Sequence, residues 1–394
     1  MIPLLPLILA ACNPTPDSAD TAAAVATYPD IQAVIFEAPV PWGRPIDDYI
    51  EINTEDLGHS DFLHGVHELY PFDDRLYLGY GDANLNLGRI TPIELRYWES
   101  LDDPTAVASA FVVDEEQVDH FRSTDDRLLL PGVDATEDDL LGNVYLQSAG
   151  GDWSKSRTLE LAWHVHDIAA LGDSLYACGS GGTLDDYDSS DVNAYVYRSD
   201  DGGETFVIDQ AYDHPEPPGD NRFTGLLVVN DTLHVFGYAS DTSSINRFHA
   251  FELGSDGLEP VSGLSRVFVT RTESLAADLG LLVGVSVGTV LSWRVWTISA
   301  DGVEVATALD DITVVDLLPL SEGRTLVLAV EGNDYPSPTE GPWQAMVGLT
   351  TDGTSLETIV TWETEIWPES VVYFHDSLLV GMSDGSVLRA EGTE

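Results

Sequence analysis

Hydrophobic positions in this chain fall into short runs cut by Gly, Asp and Asn, and one run recurs. It reads DRLYLGYGD (74–82), DRLLLPGVD (126–134), DSLYACGSG (173–181), DTLHVFGYA (231–239), GLLVGVSVG (280–288), RTLVLAVEG (324–332) and DSLLVGMSD (376–384). Apolar runs of this length bounded by turn residues predict strands. The runs start near residues 75, 127, 174, 232, 281, 325 and 378, a spacing of about 50. No segment sustains a helical period; Leu275 to Leu282 comes nearest, and Gly280 interrupts it.

Each unit continues in the same way. After DTLHVFGYA comes NRFHAFELG, a turn at Asp256-Gly257 and LEPVSGL; the next two units turn at Asp301-Gly302 and Asp352-Gly353. An Asp-Gly pair supplies the positive backbone angle of a tight hairpin. About four strands per unit of about 50 residues predict an all-β fold, a β-propeller of seven four-stranded blades. One such blade cannot cover both of its faces, so blades must stack around an axis. The recurring run opens each unit and is read as its inner strand, with Arg75 and Arg127 at the start of two of them. The last unit holds only two short strands, while IQAVIFEAPV (31–40) has no unit. Pairing Ile31–Val40 as an outer strand with Leu378–Met382 and Ser386–Ala390 would close the ring. Six full blades with separate terminal strands is the alternative.

The ends of the chain differ in texture. MIPLLPLILA is apolar but shorter than the ~20 residues that span a bilayer, so it reads as the core of a signal segment. Its end, Leu9-Ala10-Ala11-Cys12, resembles a bacterial lipobox. That resemblance implies a signal peptide over 1–11, an acylated Cys12 as the mature N-terminus and a lipid-anchored envelope protein. Asn13 in place of Asp resembles the outer-membrane sorting pattern. Residues 12–30 are rich in Pro, Ala, Ser, Thr and Asp and read as a flexible tether; the propeller then spans 31–394.

Charge narrows the partners. Sixty-eight Asp and Glu face 16 Lys and Arg, a formal charge of −52, and Lys155 is the single lysine. Phosphate affinity comes from Lys and Arg, so nucleic acid is excluded as a partner, and membrane contact is expected through the lipid anchor alone. With Cys12 acylated, Cys178 has no partner and reads as a small buried hydrophobe.

Ser199-Asp200-Asp201-Gly202-Gly203-Glu204-Thr205-Phe206 fits the Asp-box pattern S-x-D-x-G-x-T-F/W. It resembles the bacterial-neuraminidase-repeat propellers, which include sialidases and sortilin-like receptors. The resemblance implies that Ser199, Asp201, Gly203, Thr205 and Phe206 build a structural hairpin between a blade's third and fourth strands, remote from any active centre. Asp256, Asp301, Asp352 and Asp384 keep only the Asp-Gly core. The arginine phrase F/Y-R-I-P of the sialidases is missing, so fold resemblance carries no catalysis.

Two further groups carry candidate chemistry. His164 and His166 fall on one strand face, and with Asp167 they form a candidate metal site; the alternative is hydrogen bonding between blades. His64 and His67, on the corresponding stretch HGVHE, fall on opposite faces. Asp82, Asn84 and Asn86 space oxygens as a calcium loop does, and TLDDYDSSD (183–191) is a denser acidic loop; calcium is the one cofactor these suggest. No convergent charged trio for catalysis is visible. The expected function is a binding or scaffold module for a protein or glycan, with an extracytoplasmic glycan hydrolase as the alternative.

Overall fold

A computed structural model describes residues 31, 35–59, 62–83, 91–124, 126–137, 140–148, 151–183, 192–212, 220–241, 244–288, 290–320, 323–334 and 341–393. Six of its sheets are four-stranded antiparallel blades cut from continuous chain. They span 68–113, 122–159, 164–212, 220–260, 267–305 and 312–364, and we number them blades 1 to 6. Blade 7 combines Pro368–Phe374, Ser377–Met382 and Val387–Thr393 with two N-terminal strands, Ile35–Phe36 and Val40–Gly43, both paired to its outermost C-terminal strand. Phe36 lies opposite Gly392 and Val40 opposite Arg389. The ring therefore has seven blades, closed by the N-terminal strand as the unpaired 31–40 segment predicts. Backbone hydrogen bonds between distant chain segments hold it shut and cover an edge that would otherwise be open.

The order of strands within a blade corrects one expectation. The recurring run is each blade's second strand, not its inner one; the innermost strand precedes it, as His164–Leu171 precedes Ser174–Gly181. Likewise Pro368–Phe374 is innermost in blade 7, and Leu378–Met382 lies second. The physical reason is burial. A second strand has a neighbouring strand on either side and a blade on each face, so all eight residues of Ser174–Gly181 are buried and read as a continuous apolar run. The innermost strand turns alternate side chains to the axis and carries polar residues there.

Between blades the core is continuous apolar packing. Leu129 and Val144 of blade 2 meet Val165, Ile168 and Tyr197 of blade 3, each such side chain stabilising by about 1.5–3 kcal/mol on burial. A short helix, Asp47–Glu51, continued by a turn of π-helix to Asp56, links the closing strand to blade 1. The hydrophobic pattern gave no hint of it. Tyr49 packs on Phe62 and Tyr80, and Asn53 ties Tyr49 O to the Thr91 N–H. Among the described residues no helix is long and apolar enough to cross a membrane.

Candidate functional site

The Ser199–Phe206 segment forms the turn joining the third and fourth strands of blade 3, Asn193–Ser199 and Val207–Tyr212. Asp201 accepts from Ser199 Oγ (2.8 Å), Thr205 N (3.0 Å) and Thr205 Oγ1 (2.5 Å), and Gly203 N donates to Ser199 Oγ. These bonds hold the Asp201 carboxyl down at about 2. Gly203 has φ of 94°, and a Cβ there would meet Leu146 of blade 2 at 2.6 Å. Phe206 is buried among blade 2 residues, and its N–H donates to Thr158 Oγ1. The turn clamps blade 3 onto blade 2. Blade 6 repeats it with Thr350 and Asp352 in the places of Ser199 and Asp201: Thr350 Oγ1 accepts from Gly353 N, and Asp352 accepts from Thr354 N and Oγ1. Asp384 instead sits between the second and third strands of blade 7, where Arg44 and Ser386 engage it.

The axis offers more chemistry. In blades 3 to 7 the innermost strand carries a β-bulge at one shared position: His166, Thr224, Thr270, Val315 and Glu369. A bulge re-aims one side chain out of the ladder. Val66, Val118 and Val165 each donate a backbone N–H to the carbonyl ending the second strand of the preceding blade, at Met382, Tyr80 and Gly132. Their followers, His67, Asp119 and His166, therefore occupy one ring position. All seven ring residues line a single cavity of about 550 Å³, the size of a small-molecule site. Phe268, Trp293, Val314 and Trp367 also line it. The ring residues stand near the start of the innermost strands, and the Ser199–Phe206 turn lies level with their far end, so the cavity lies at the opposite end of the blade from that turn.

Two arginines close the cavity beneath. Arg122 donates to Asp167 Oδ1 and Oδ2 of blade 3 (both 3.0 Å) and to Glu273 of blade 5 (2.9 Å). Arg271 of blade 5 pairs with Glu68 of blade 1 (3.0 Å) and Asp316 of blade 6 (2.5 Å). The belt spans the axis, so the site is a cup with a floor of ion pairs. Burial, opposed by Arg271, pushes Glu68 up to about 8 and raises Asp316, so the two carboxyls that share one guanidinium do not both ionise readily.

Ring residues differ in what they can exchange. His67 Nδ1 lies 3.0 Å from Glu369 Oε2 and Nε2 lies 3.0 Å from Gly81 O; both partners are acceptors, so both nitrogens donate. Burial works against that charge, but the Glu369 hydrogen bond and charge outweigh it and raise His67 to about 9. Gly65 leaves the space for this pair, since a Cβ there would fall 1.9 Å from Glu369 Oε2. His166 goes the other way: burial, then His164 stacked at 5.6 Å, holds it well below the ordinary range. Its one hydrogen-bond contact is long, 3.5 Å from Nε2 to Ser180 Oγ.

His164, His166 and Asp167, the candidate metal ligands, do not converge in the structure. His164 Nδ1 donates to Val133 O, while Asp167 points under the ring to Arg122 and His120. His164 and His166 do share a face, their rings stacked 5.6 Å apart, while Asp167 points away from them. Among the described residues no three His, Cys, Asp or Glu side chains converge as metal ligands. Asp82 is buried and accepts from Leu63 N; Asn84, Asn86, Cys12 and most of 183–191 lie outside the described residues. Cys178 is buried in apolar surroundings that push its thiol up, as a small hydrophobe should be.

Sequence reasoning singled out His166 and Asp167 but missed His67 as a cavity group, along with Asp119, Arg122, Arg271 and Glu369. A signal existed. In five blades the ring residue stands eight positions ahead of the second strand: His67 and Arg75, Asp119 and Arg127, His166 and Ser174, Thr224 and Thr232, Glu369 and Ser377.

No protein-family model matches the chain, and no curated protein does. Among solved structures it is similar to the β-propeller domain of the trilobed protease from Pyrococcus furiosus, with 8% identity, a TM-score of 0.48, and 85% of this chain and 95% of that one covered. Virginiamycin B lyase from Staphylococcus aureus is 10% identical with a TM-score of 0.45, covering 90% and 99%. A putative 6-phosphogluconolactonase from Bacteroides uniformis is 13% identical with a TM-score of 0.48, covering 78% and 89%. Likenesses at this level assign no function to the chain.

Proposed function

We propose that this protein is a lipid-anchored extracytoplasmic binding module whose axial cup holds the end of a glycan. One observation carries the reading: Trp293, Trp367 and Phe268 share a cavity of about 550 Å³ with imidazole, carboxylate and threonine side chains. A sugar ring offers an apolar C–H face for an aromatic wall and a rim of hydroxyls for polar groups. Trp367 is braced edge-on by Trp343, with ring centroids 5.4 Å apart, so the wall is preset.

Binding is favoured over hydrolysis by how the carboxylates are engaged. Glycoside hydrolysis needs two carboxyl groups free to act on one bond. Asp167 is held by Arg122 and His120, and Glu369 by His67. Among the described lining residues Asp119 is the carboxylate with no direct ion pair, the charged His67 acting on it only through space. Cys12 and the 12–30 tether would place the cup above the envelope lipid, since stable anchoring needs more than one acyl chain.

The test has two arms. Cys12→Ala should move the protein to the soluble fraction; unchanged membrane association rejects the anchor. Titration with neutral, amino and acidic disaccharides should quench tryptophan fluorescence for at least one class and not in Trp367→Ala. No response to any class rejects the glycan reading.

A further inference from the structure

The ring has spare hydrogen-bond capacity at neighbouring positions on one side. Asp119 has no ion pair, and its one side-chain bond comes from Gln117 Nε2 to Oδ1, leaving Oδ2 open. His166, next in the ring, has no bond at Nδ1 and only the long Ser180 contact at Nε2. Thr224 follows; it lines the same cavity, and its buried hydroxyl lacks any partner. A carboxylate oxygen, an unprotonated imidazole nitrogen and a hydroxyl oxygen are all acceptors. No nearby cation hydrogen-bonds to these groups: Arg122 and Arg271 are committed to the floor, His67 donates from both nitrogens to Glu369 and Gly81, and His67, Arg222 and His120 act on Asp119 or His166 through space alone.

We infer that the cup selects a ligand bearing a primary amine, its ammonium group donating to Asp119 and His166 while its body lies against Trp293 and Trp367. This rests on the glycan reading for the body of the ligand, and it narrows the class to sugars whose amine is unsubstituted. An ammonium carries three N–H donors and no acceptor, which suits acceptors at successive ring positions. Charge-assisted bonds to a carboxylate are about twice as strong as neutral ones. Burial next to His164 keeps His166 unprotonated, so it accepts at neutral pH. The formal charge of −52 draws cations to the surface generally, and the test must remove that contribution.

The experiment is calorimetric titration of the soluble Cys12→Ala protein at about 0.15 M salt, where long-range attraction is screened. The probes are a glucosamine disaccharide, its N-acetylated counterpart, cellobiose and benzylamine. The expected result is roughly 10-fold or greater preference for the free amine over the N-acetylated sugar, collapsing to about 1 in Asp119→Asn. Equal affinity for the amino and acetylated sugars overturns the inference and leaves the glycan reading standing. Benzylamine binding with no sugar binding upholds the amine site and overturns the glycan reading. A preference unchanged in Asp119→Asn, with that variant melting as the parent does, overturns the assignment to this ring position. Silence from all four probes overturns both.

Discussion

Two arcs of the same ring differ in what they place at one backbone position. Blades 7, 1, 2 and 3 put Glu369, His67, Asp119 and His166 there; blades 4, 5 and 6 put Thr224, Thr270 and Val315. The bulge occurs in both arcs, in blades 3 to 7, so the backbone device is indifferent to the chemistry it presents. The repeated frame aims seven side chains inward, and the site lies in how the seven fail to repeat. The two arcs are also joined beneath. Arg271 belongs to the plain arc yet reaches Glu68 on the titratable one, while Arg122 runs the opposite way to Glu273.

Cutting that join should have the largest effect. Arg271→Ala leaves Glu68 and Asp316 buried without their cation. Removing one partner of a buried pair costs about 3–5 kcal/mol, which for a chain of this size is a fall in Tm of roughly 4–7 °C. The exposed pair of Arg44 and Asp47 is the control, with side chains 46% and 52% exposed; Arg44→Ala should cost no more than about 1 kcal/mol. Adding Glu68→Gln to Arg271→Ala should recover part of the loss, because the remaining carboxylate no longer faces a second one. If Arg271→Ala melts with wild type, the two arcs do not depend on the belt.

A pH series separates the arcs with a moderate effect. Burial pushes Glu68 and Glu115 up to about 8, and burial followed by the charges of Glu116 and Glu115 does the same to Asp134. All three belong to blades 1 and 2 or the link between them. Their folded forms hold protons that the unfolded chain has released above its ordinary carboxyl range, so stability declines as pH rises towards 8. His67, raised to about 9, adds stability that is complete below its unfolded value of 6.5 and lost as pH rises through 9. His164 and His234, lowered to about 4 chiefly by burial, act in the other direction: their contribution is present above 6.5 and lost as pH falls through 4. Tm should therefore peak near pH 5–6 and fall by several degrees, on the order of 5 °C, by pH 9. High salt relieves the general repulsion of the −52 charge, so the part of the fall that survives 1 M salt belongs to the buried groups. A flat profile in high salt would remove the titratable arc from the account.

What the sequence disclosed follows the same division. The seven second strands were legible because they are buried on both faces and read as apolar runs, as in Leu326–Val330. Blade count and closure came from those runs and from the unpaired segment before them. The innermost strands were hidden. Blade 2 begins with only Arg122–Thr124, three polar or charged residues preceded by Asp119 and His120, and nothing there alternates. A bulge then shifts the register at the ring residue itself, so the strand pattern alone does not show which side chain faces the axis. Arg122 and Arg271 stand far from their partners in sequence, 151 residues in the case of Arg122 and Glu273, and only the closed ring brings them together. His67 and Glu369 are separated by 302 residues and meet where blade 7 abuts blade 1.

The smallest effect should come from the turn that the Asp-box resemblance marks, and it sharpens the contrast between the cup and the rest. Asp201 is fully exposed yet accepts three hydrogen bonds within its own turn. Asp201→Ala loses these while leaving Phe206 against blade 2, so Tm should fall by only about 2 °C. Asp352→Ala in blade 6, with the equivalent bonds to Thr354, should behave alike. The pH dependence has a definite sign. A carboxyl held at about 2, against 3.8 unfolded, contributes stability that is whole above 3.8 and lost as pH falls through 2. The gap between wild type and Asp201→Ala should thus stay constant from pH 5 to 8 and narrow below pH 4. Because this turn lies at the end of the blades away from the cavity, ligand titrations should match wild type within about 2-fold. A large loss of binding in Asp201→Ala with unchanged melting would mean that the far end of the ring takes part in recognition, and that the two ends are not divided between structure and function.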